Sequence, residues 1–523
     1  MMVSEISDLD LMIIVGYFLV VLAIGILVGL KTKTEDDLFL GGRSLTWGVI
    51  GFSLFASNIS STTLIGLSGA AYSAGIAVSN YEWLSGLPLI IMAAIFIPVY
   101  LKARITTVPE FLELRYDVRS RKIFSLVTII ISVFVDMAGG LYAGAVVIKV
   151  FFPGIELWHT TLVLAVVAAV YTAFGGLKAV VYTDIIQALI LIVGCSVLSY
   201  LLFSQHGFSW QSVSSSLPEG RLSVIRPLDD PMLPWLGTAV GVPLLGFWYW
   251  VTNQYVTQRV LAAKNINHAR WGAILGGFLK ILPLFIMVLP GAMAVSLIPD
   301  IANSDMVFPT LVKEVLPIGV VGIVLAGLIS AIMSTVDSTL NSASTLIVMD
   351  WLKPHKPGLT SQQTARIGRI TMVVIMAIAA VWAPLIGNFG GLWSYLQQIF
   401  AIIVPPVAVL FLLGMFYKRA NGTAAFMTLI GGISLGIVFF LLRQNGTADI
   451  HFSVAVGIMF VVSSVLFIGS SFFGEPTDLK RVESLIYRPG LMDSHHEGSF
   501  LKDYRFQCLL LALSMGLVLI FFW

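Results

Sequence analysis

Apolar residues in this chain form long runs near 20 residues, separated by short polar linkers, and do not follow the alternating or one-sided patterns of soluble strands and helices. Runs of this length match the hydrocarbon thickness of a bilayer and predict about fourteen transmembrane helices. The predicted spans cover residues 9–30, 45–74, 80–101, 123–151, 157–174, 178–204, 233–258, 271–297, 314–351, 367–386, 391–417, 422–442, 451–473 and 506–523. We therefore predict an all-α integral membrane protein.

Composition and charge support this prediction and set an orientation. The chain is 58% hydrophobic and 11% charged, with a mean hydropathy of +0.94. An N-terminus on the outer side places 24 of the 30 Lys and Arg residues in cytoplasmic linkers, as the positive-inside rule expects. We predict a multi-pass protein of the cell membrane with both termini outside. Because topology accounts for the basic residues, the net charge of +2 gives no indication of nucleic-acid binding.

Two predicted spans contain helix-disturbing residues. In the second span, Ser, Thr and Asn occupy six of the seven positions 57–63, and the seventh span contains Gly241, Pro243 and Gly246. Either segment alone has a simple explanation, since Gly and Pro are common in membrane helices. Together, roughly 190 residues and five spans apart, they favour a transporter with inverted five-helix repeats and a site at the membrane midplane.

Glu82 and Lys280 lie deep inside apolar runs. An ionisable side chain at this depth costs at least ~2.5–3.5 kcal/mol, so it usually faces a partner, a cavity or a substrate. Each charge would offset the desolvation of the other, either as part of a binding site or as a structural clip between two helices. Asp136 is a further intramembrane acid that we leave unassigned: it could face a cavity, bind a cation, bond a polyol or amine, or be satisfied by neighbouring helices.

Several long sequence blocks carry a family resemblance. They are FASNISSTTLIGLSGAAYSAGIAVSNYEWLS, YTAFGGLKAVVYTDIIQALIL, WYWVTNQYVTQRVLAAKNINHA with GFLKILPLFIMVLPG, and SAIMSTVDSTLNSASTLIVMDW. In this order they resemble the sodium/solute symporter family, and within it the sodium–glucose and sodium–galactose cotransporter branch, from about residue 9 to 420. The resemblance implies the LeuT-type fold, with inverted repeats of helices 1–5 and 6–10, one helix before them and three after.

The implied organisation divides the chain into five parts. These are an extra N-terminal helix with the first cytoplasmic linker (1–44), the first repeat (45–204), an outer loop (205–232), the second repeat (233–417), and three C-terminal helices with a cytoplasmic loop at about 474–505 (418–523).

The resemblance also implies a sodium site. Na⁺ prefers hard oxygen ligands, which the carbonyls of a broken helix and nearby hydroxyls supply. The implied ligands are the backbone carbonyls of Ala56, Ile59 and Ala331 and the hydroxyls of Ser334 and Thr335. Alternatively, the two hydroxyls bond back to carbonyls of their own helix.

Asp184 and Asp337 mark a possible second sodium site. Asp184 matches an acid of the family block, and Asp337 lies three residues after Ser334, on the same helix face. The alternative is that each carboxylate caps a helix end or accepts a hydrogen bond from a neighbouring hydroxyl.

The implied sugar site combines polar edges with an aromatic wall, as the hydroxyls and apolar face of a hexose require. The matching positions are Asn58, Glu82, Ser85, Lys280 and Gln397, with Tyr249 closing the inner side and Trp250 beside it. Thr63 and Gly246 stand where the galactose-carrier pattern has Gln and Asn. Loss of a hydrogen-bond partner shifts selectivity by ~1–3 kcal/mol, so galactose itself does not follow from the resemblance.

We predict a sodium-coupled secondary active symporter that imports a hexose or related polyol by alternating access. Na⁺ is the predicted coupling ion. The protein is expected to lie in the lipid bilayer, and a monomer is expected to be sufficient for transport. One alternative is a symporter of the same fold for a carboxylate or amino acid, in which Lys280 binds the anion and Glu82 is structural. A second is a sensor that binds solute without moving it. An enzyme is disfavoured, because the sequence shows no phosphate loop, metal cluster or nucleophile–base pair.

Overall fold

A computed structural model of the chain describes residues 6–30, 34–152, 154–299, 301, 304–389, 392–448, 450–475, 477–488 and 500–523. The described part is almost entirely helical, which confirms the predicted all-α membrane class. The principal helices are α1 (Asp8–Gly29), α2 (Glu35–Leu40), α3 (Trp47–Asn58), α4 (Ser61–Ala74), α5 (Ile76–Ala103), α6 (Val108–Arg115), α7 (Val118–Lys149), α8 (Leu157–Gln205), α9 (Trp210–Ser216), α10 (Val242–Phe247), α11 (Gln254–Leu261), α12 (Ile266–Leu297), α13 (Val307–Val315), α14 (Val320–His355), α15 (Ser361–Ile386), α16 (Leu392–Phe416), α17 (Gly422–Gln444), α18 (Phe452–Ser470) and α19 (Tyr504–Phe521).

The number of membrane spans can be compared with the predicted fourteen. Within the described residues, eleven helices are long and apolar enough to cross a bilayer, or twelve when the bent pair α3 and α4 counts as one span. The predicted span 157–174 corresponds to a shorter apolar stretch, Leu157–Val170, within α8. The predicted span 233–258 corresponds to α10 with a π-helical turn on each side. The count of fourteen stays a prediction.

Helix α14 forms the centre of the molecule, where it packs against α8, α7 and the bent pair α3 and α4. In the most apolar 18-residue stretch of α14, 81% of the residues are buried. The corresponding shares are 19% in α1 and 17% in α19. Large apolar side chains remain exposed on the outer helices, for example Val381 and Phe521 at 77% and 79%. An apolar surface this large is unfavourable in water and suits a lipid environment.

The polar residues of the second predicted span break its helix. Helix α3 ends at Asn58, Ile59 takes non-helical angles (φ −76°, ψ 77°), and α4 starts at Ser61. Ser60 caps α4 by accepting a hydrogen bond from the Thr63 N–H at 3.2 Å, as Ser does at helix N-termini. The axes of the two halves differ by 57°. The break therefore places free helix ends inside the membrane domain.

The seventh predicted span is disturbed in a different way. Its helix carries π-helical turns at Gly237–Gly241 and Trp248–Thr252, and such turns are frequent at functional sites. The helical run then stops at Asn253, which has an extended backbone and caps α11 through its side chain. The interruption thus follows the Gly and Pro positions by several residues.

The N-terminal helix is tied to the central helix by a carboxylate. Asp10 of α1 is 2% exposed, and its Oδ1 accepts hydrogen bonds from the N–H groups of Gly319 (2.8 Å) and Gly322 (2.6 Å) at the start of α14. A Cβ on Gly322 would lie 2.7 Å from the Asp10 backbone, so only glycine allows this approach. The Asp10 carboxylate accepts hydrogen bonds from N–H groups that the first turn of a helix leaves without a partner. Its negative charge also interacts favourably with the positive end of the α14 dipole.

Candidate functional site

A central cavity of about 140 Å³ lies beside the break between α3 and α4. Its walls include seven of the predicted site residues: Asn58, Thr63, Glu82, Ser85, Tyr249, Trp250 and Thr335. Sequence positions far apart in the chain are therefore gathered around one space. A concave site with a few polar groups among aromatic side chains is the usual form of a small-molecule pocket.

Lys280 and Glu82 form an ion pair at one side of this cavity. Lys280 is fully buried, Glu82 is 4% exposed, and the Lys280 ammonium donates to Glu82 Oε2 and Asn58 Oδ1. It also lies 5.8 Å from the centre of the Trp250 ring. The pair thus connects α12 and α5 to the end of α3.

Proline positions these two charged residues. Lys280 ends the regular helix that begins at Ile266, three residues before Pro283, and Glu82 lies in the short helix Asn80–Trp83, shortly before Pro88. Because proline cannot donate a backbone hydrogen bond, it weakens the turn that precedes it. Both charges therefore stand where their helices loosen.

The other predicted sugar-site residues differ in their freedom to bind a solute. The Ser85 hydroxyl donates to the Tyr81 carbonyl (3.0 Å) and the Thr63 hydroxyl to the Asn58 carbonyl (2.9 Å), so both are engaged within their own segments. Tyr249 lines the cavity next to Trp250, with ring centres 5.0 Å apart. The side chain of Gln397 lies outside the described part of the chain.

The predicted sodium ligands converge at the helix break. Ala56, Ile59 and Ala331 are buried, and the Thr335 hydroxyl reaches across from α14 to the Ser57 carbonyl at 3.4 Å. Among the described residues, the hydrogen bonds across the break end on the carbonyls of Ser57 and Asn58, and none ends on those of Ala56 or Ile59. Carbonyls left without a partner at membrane depth are costly, and a cation would satisfy them.

The Thr335 hydroxyl also donates to the Ala331 carbonyl of its own helix at 3.2 Å, which was the alternative arrangement for this hydroxyl. The Ser334 side chain lies outside the described residues. The Ala56 and Ile59 carbonyls, which have no partner among the described residues, and the Thr335 hydroxyl are the kind of oxygen ligand that Na⁺ needs.

The two acids of the possible second sodium site have separate partners. Asp184 is fully buried and accepts a hydrogen bond from Arg259 Nη2 at 3.0 Å and others from Ser53 and Ser57. Asp337 Oδ1 accepts a hydrogen bond from Thr172 at 2.9 Å. A guanidinium therefore already neutralises Asp184, and among the hydrogen bonds given for the described residues the two carboxylates have different donors.

Reasoning from sequence missed several residues of the cavity wall. These are Tyr81, Trp248, Tyr255 and Phe400, together with Asp136, which we had left unassigned. The rings of Trp248 and Phe400 lie 4.8 Å apart and those of Tyr249 and Tyr255 5.7 Å apart. Aromatic residues are so common in membrane proteins that sequence alone gave no signal for them. For Asp136 the signal was present, since an acid inside an apolar span needs an explanation.

A helix broken at membrane depth, a buried ion pair and a cavity lined by polar and aromatic side chains, all within an all-helical membrane domain, define a secondary transporter. The comparisons with known proteins specify the family. Residues 38–432 match the sodium:solute symporter family. The chain belongs to this family, whose members are transporters and not enzymes, and Na⁺ is its coupling ion.

Curated relatives cover most of the chain. It is 33% identical over 519 residues to mouse sodium/glucose cotransporter 4, covering 89% of this chain and 76% of the relative. It is 35% identical over 536 residues to human sodium/myo-inositol cotransporter 2, covering 91% and 78%.

Solved structures confirm the LeuT-type fold. A substrate-bound, outward-open Na⁺-coupled sialic acid symporter superposes with a TM-score of 0.77 at 23% identity, covering 90% of this chain and 100% of the other. Inward-facing Mhp1 superposes with a TM-score of 0.53 at 12% identity, covering 85% and 97%.

Proposed function

We propose that this protein imports a sugar or polyol, such as a hexose or an inositol, together with Na⁺. The observation that carries the proposal is the cavity beside the helix break, where Glu82, Lys280 and Asn58 form one hydrogen-bonded group next to an aromatic wall. Hydroxyls need both donors and acceptors, and a sugar ring also needs an apolar surface. The names of the curated relatives, sodium/glucose and sodium/myo-inositol cotransporters, support the same class of solute.

We assign the sodium site to the carbonyls of Ala56, Ile59 and Ala331 with the hydroxyls of Ser334 and Thr335. The sugar site comprises Asn58, Thr63, Glu82, Ser85, Tyr249, Trp250, Lys280 and Gln397. A second ion at Asp184 and Asp337 would require the Arg259 guanidinium to move away. We place the protein in the cell membrane with both termini outside and the two five-helix repeats at 45–204 and 233–417.

The mechanism joins ion and solute at one structural element. The carbonyls of Ala56 and Ile59 at the end of α3 and the Ala331–Thr335 turn of α14 would hold Na⁺ between the two helices, and a filled site would keep the break in one geometry. The cavity wall begins at the same break with Asn58. A bound cation would order Asn58 and so complete the sugar site. Departure of the cation would loosen the same site. This is the reciprocal coupling between ion and solute that symport requires.

The ion pair argues against a carboxylate as the solute. The Lys280 ammonium already donates to Glu82 and Asn58, and an anion would have to compete with a buried carboxylate. A neutral hydroxyl group can instead join the existing group without leaving a charge unpaired.

The proposal is tested by uptake into proteoliposomes of radiolabelled glucose, galactose, myo-inositol, a monocarboxylate and an amino acid, with an inward gradient of Na⁺ or choline. We expect Na⁺-dependent uptake of a neutral sugar or polyol.

Lys280→Met should abolish uptake, while Lys149→Met, at an exposed lysine, should transport normally. Thr335→Val should raise the Na⁺ concentration for half-maximal uptake, while Thr339→Val, one turn away and bonded only within its own helix, should leave it unchanged. Uptake of only the carboxylate or the amino acid would overturn the sugar assignment, and binding without counterflow would indicate a sensor.

A further inference from the structure

Asp136 is an acidic residue of the cavity wall that forms no ion pair within the described part of the chain. It lies in the π-helical segment Ile131–Met137 of α7 and forms part of the cavity wall. Its Oδ2 is buried and has no hydrogen-bond partner among the described residues. None of the ion pairs in the described part of the chain includes Asp136. A carboxylate at membrane depth without a partner is expensive, so it is usually retained for a function.

The cations nearest the site are already engaged. Lys280 is committed to Glu82 and Asn58. Arg259 pairs with Asp184, donates to the Tyr255 carbonyl and to neighbouring serine hydroxyls, and is not part of the cavity wall. The described cavity wall therefore has two carboxylates, and of these Glu82 is balanced by Lys280 from outside the wall. A bound solute can supply the missing positive charge.

The surroundings of Asp136 show which kind of cation fits. Tyr249, Tyr255 and Trp248 line the same cavity as Asp136. Aromatic rings beside a carboxylate form the usual receptor for an organic ammonium group, which gains both a charged hydrogen bond and cation–π attraction. Na⁺ instead needs several oxygen ligands, and the ligands proposed for it are the carbonyls and hydroxyls at the helix break.

We propose that Asp136 forms an ammonium-binding subsite, so that the preferred solutes are amino sugars or amino polyols in their protonated form. This inference rests on the proposed sugar site and specifies its substrate class. The Glu82–Lys280 group would hold the hydroxyls, and Asp136 with its aromatic neighbours would hold the amine.

The test is equilibrium binding to the purified full-length protein in nanodiscs at saturating Na⁺, followed through tryptophan fluorescence, since Trp248 and Trp250 line the cavity. The probes are glucosamine, glucose and N-acetylglucosamine, at a pH where the free amine is protonated. We expect glucosamine to bind about ten- to hundredfold more tightly than the two neutral sugars, the range for a hydrogen bond to a charged group. Asp136→Asn should bring the three affinities close together, and Asp136→Glu should retain the preference.

Three outcomes would overturn the inference: equal binding of glucose and glucosamine by the native protein, a preference that survives in Asp136→Asn, or a variant that changes only the half-saturating Na⁺ concentration. The native protein alone gives the first comparison, so a variant that misfolds does not remove the test. Ethanolamine and ethylene glycol serve as a second pair of probes. If no hexose binds but ethanolamine binds through Asp136, the proposed sugar function fails and the ammonium subsite stands.

Discussion

Lys280 and Glu82 show how single residues determine the chemistry of this membrane site. Each charge would be unfavourable alone, and together they form a pair that is still costly compared with apolar side chains of the same size. The sequence could predict that the two residues need partners, because they interrupt apolar runs. It could not show that they pair with each other and share Asn58, because that contact joins positions some 200 residues apart.

The first residue-scale prediction separates a binding role from a structural clip. Glu82→Gln and Lys280→Met should each destabilise the protein by about 3–5 kcal/mol, because each leaves a buried charge unpaired. The double variant should regain much of this stability but should not regain sugar binding. Thermal unfolding and equilibrium binding on the four proteins give both readouts. Recovery of binding in the double variant would show that the pair only clips the helices together.

Arg259 illustrates what the sequence could not provide. The charge pattern places it in a cytoplasmic linker, yet its side chain is fully buried against Asp184. Its neighbours in sequence are a mixture of polar and apolar residues, so only tertiary structure distinguishes it from the exposed linker residues. The same contact explains why the hypothesis of a second ion at Asp184 and Asp337 meets competition from an arginine.

The second residue-scale prediction concerns this pair. Arg259→Met should destabilise the protein by about 3–5 kcal/mol, because it leaves Asp184 buried without its cation. Addition of Na⁺ should recover part of the loss if the emptied position can bind the ion. Unfolding curves in NaCl and in choline chloride measure this, with Arg259→Met/Asp184→Asn as the control that removes both charges. Equal salt responses of the single and double variants would show that Asp184 does not bind Na⁺.

At the scale of elements, the broken helix was the most predictable feature. Ser, Thr and Asn compete with backbone hydrogen bonds, and six of them within seven residues leave little regular helix. The π-helical turns around α10 were not predictable, since no residue type specifies them and packing decides where they form. The aromatic wall of the cavity depends on those turns, because Tyr249 and Trp250 lie in one of them. Local sequence thus located the helix break better than the aromatic wall of the cavity.

The element-scale prediction concerns the attachment of α1 to α14. Asp10→Ala should destabilise the protein by about 1–3 kcal/mol, because two buried N–H groups at the start of α14 lose their acceptor. Asp8→Ala is the matched control: it removes an exposed acid from the same helical turn and should change stability little. Thermal unfolding in one detergent gives the comparison. Equal effects of the two substitutions would show that the Asp10 contact does not stabilise α14.

At the scale of the whole molecule, length, hydropathy and charge pattern were enough to predict a helical membrane protein. The long sequence blocks were enough to predict its family. They predicted an all-helical membrane transporter with Na⁺ as its coupling ion, which the fold and the family confirm. They could not determine the solute, because selectivity depends on which polar groups are still free after folding. Ser85 and Thr63 are engaged in local hydrogen bonds, whereas Asp136 lines the cavity with no ion pair among the described residues.

The central claim is that the sodium gradient drives solute uphill, and the steady-state accumulation ratio in proteoliposomes tests it most directly. At −100 mV one Na⁺ contributes about 2.3 kcal/mol from the potential, and a tenfold gradient adds about 1.4 kcal/mol. We predict accumulation that rises with both, up to roughly several-hundred-fold for one ion, and that collapses when an ionophore dissipates the Na⁺ gradient. Solute that only equilibrates across the membrane, or accumulation that follows a proton gradient instead, would contradict the account.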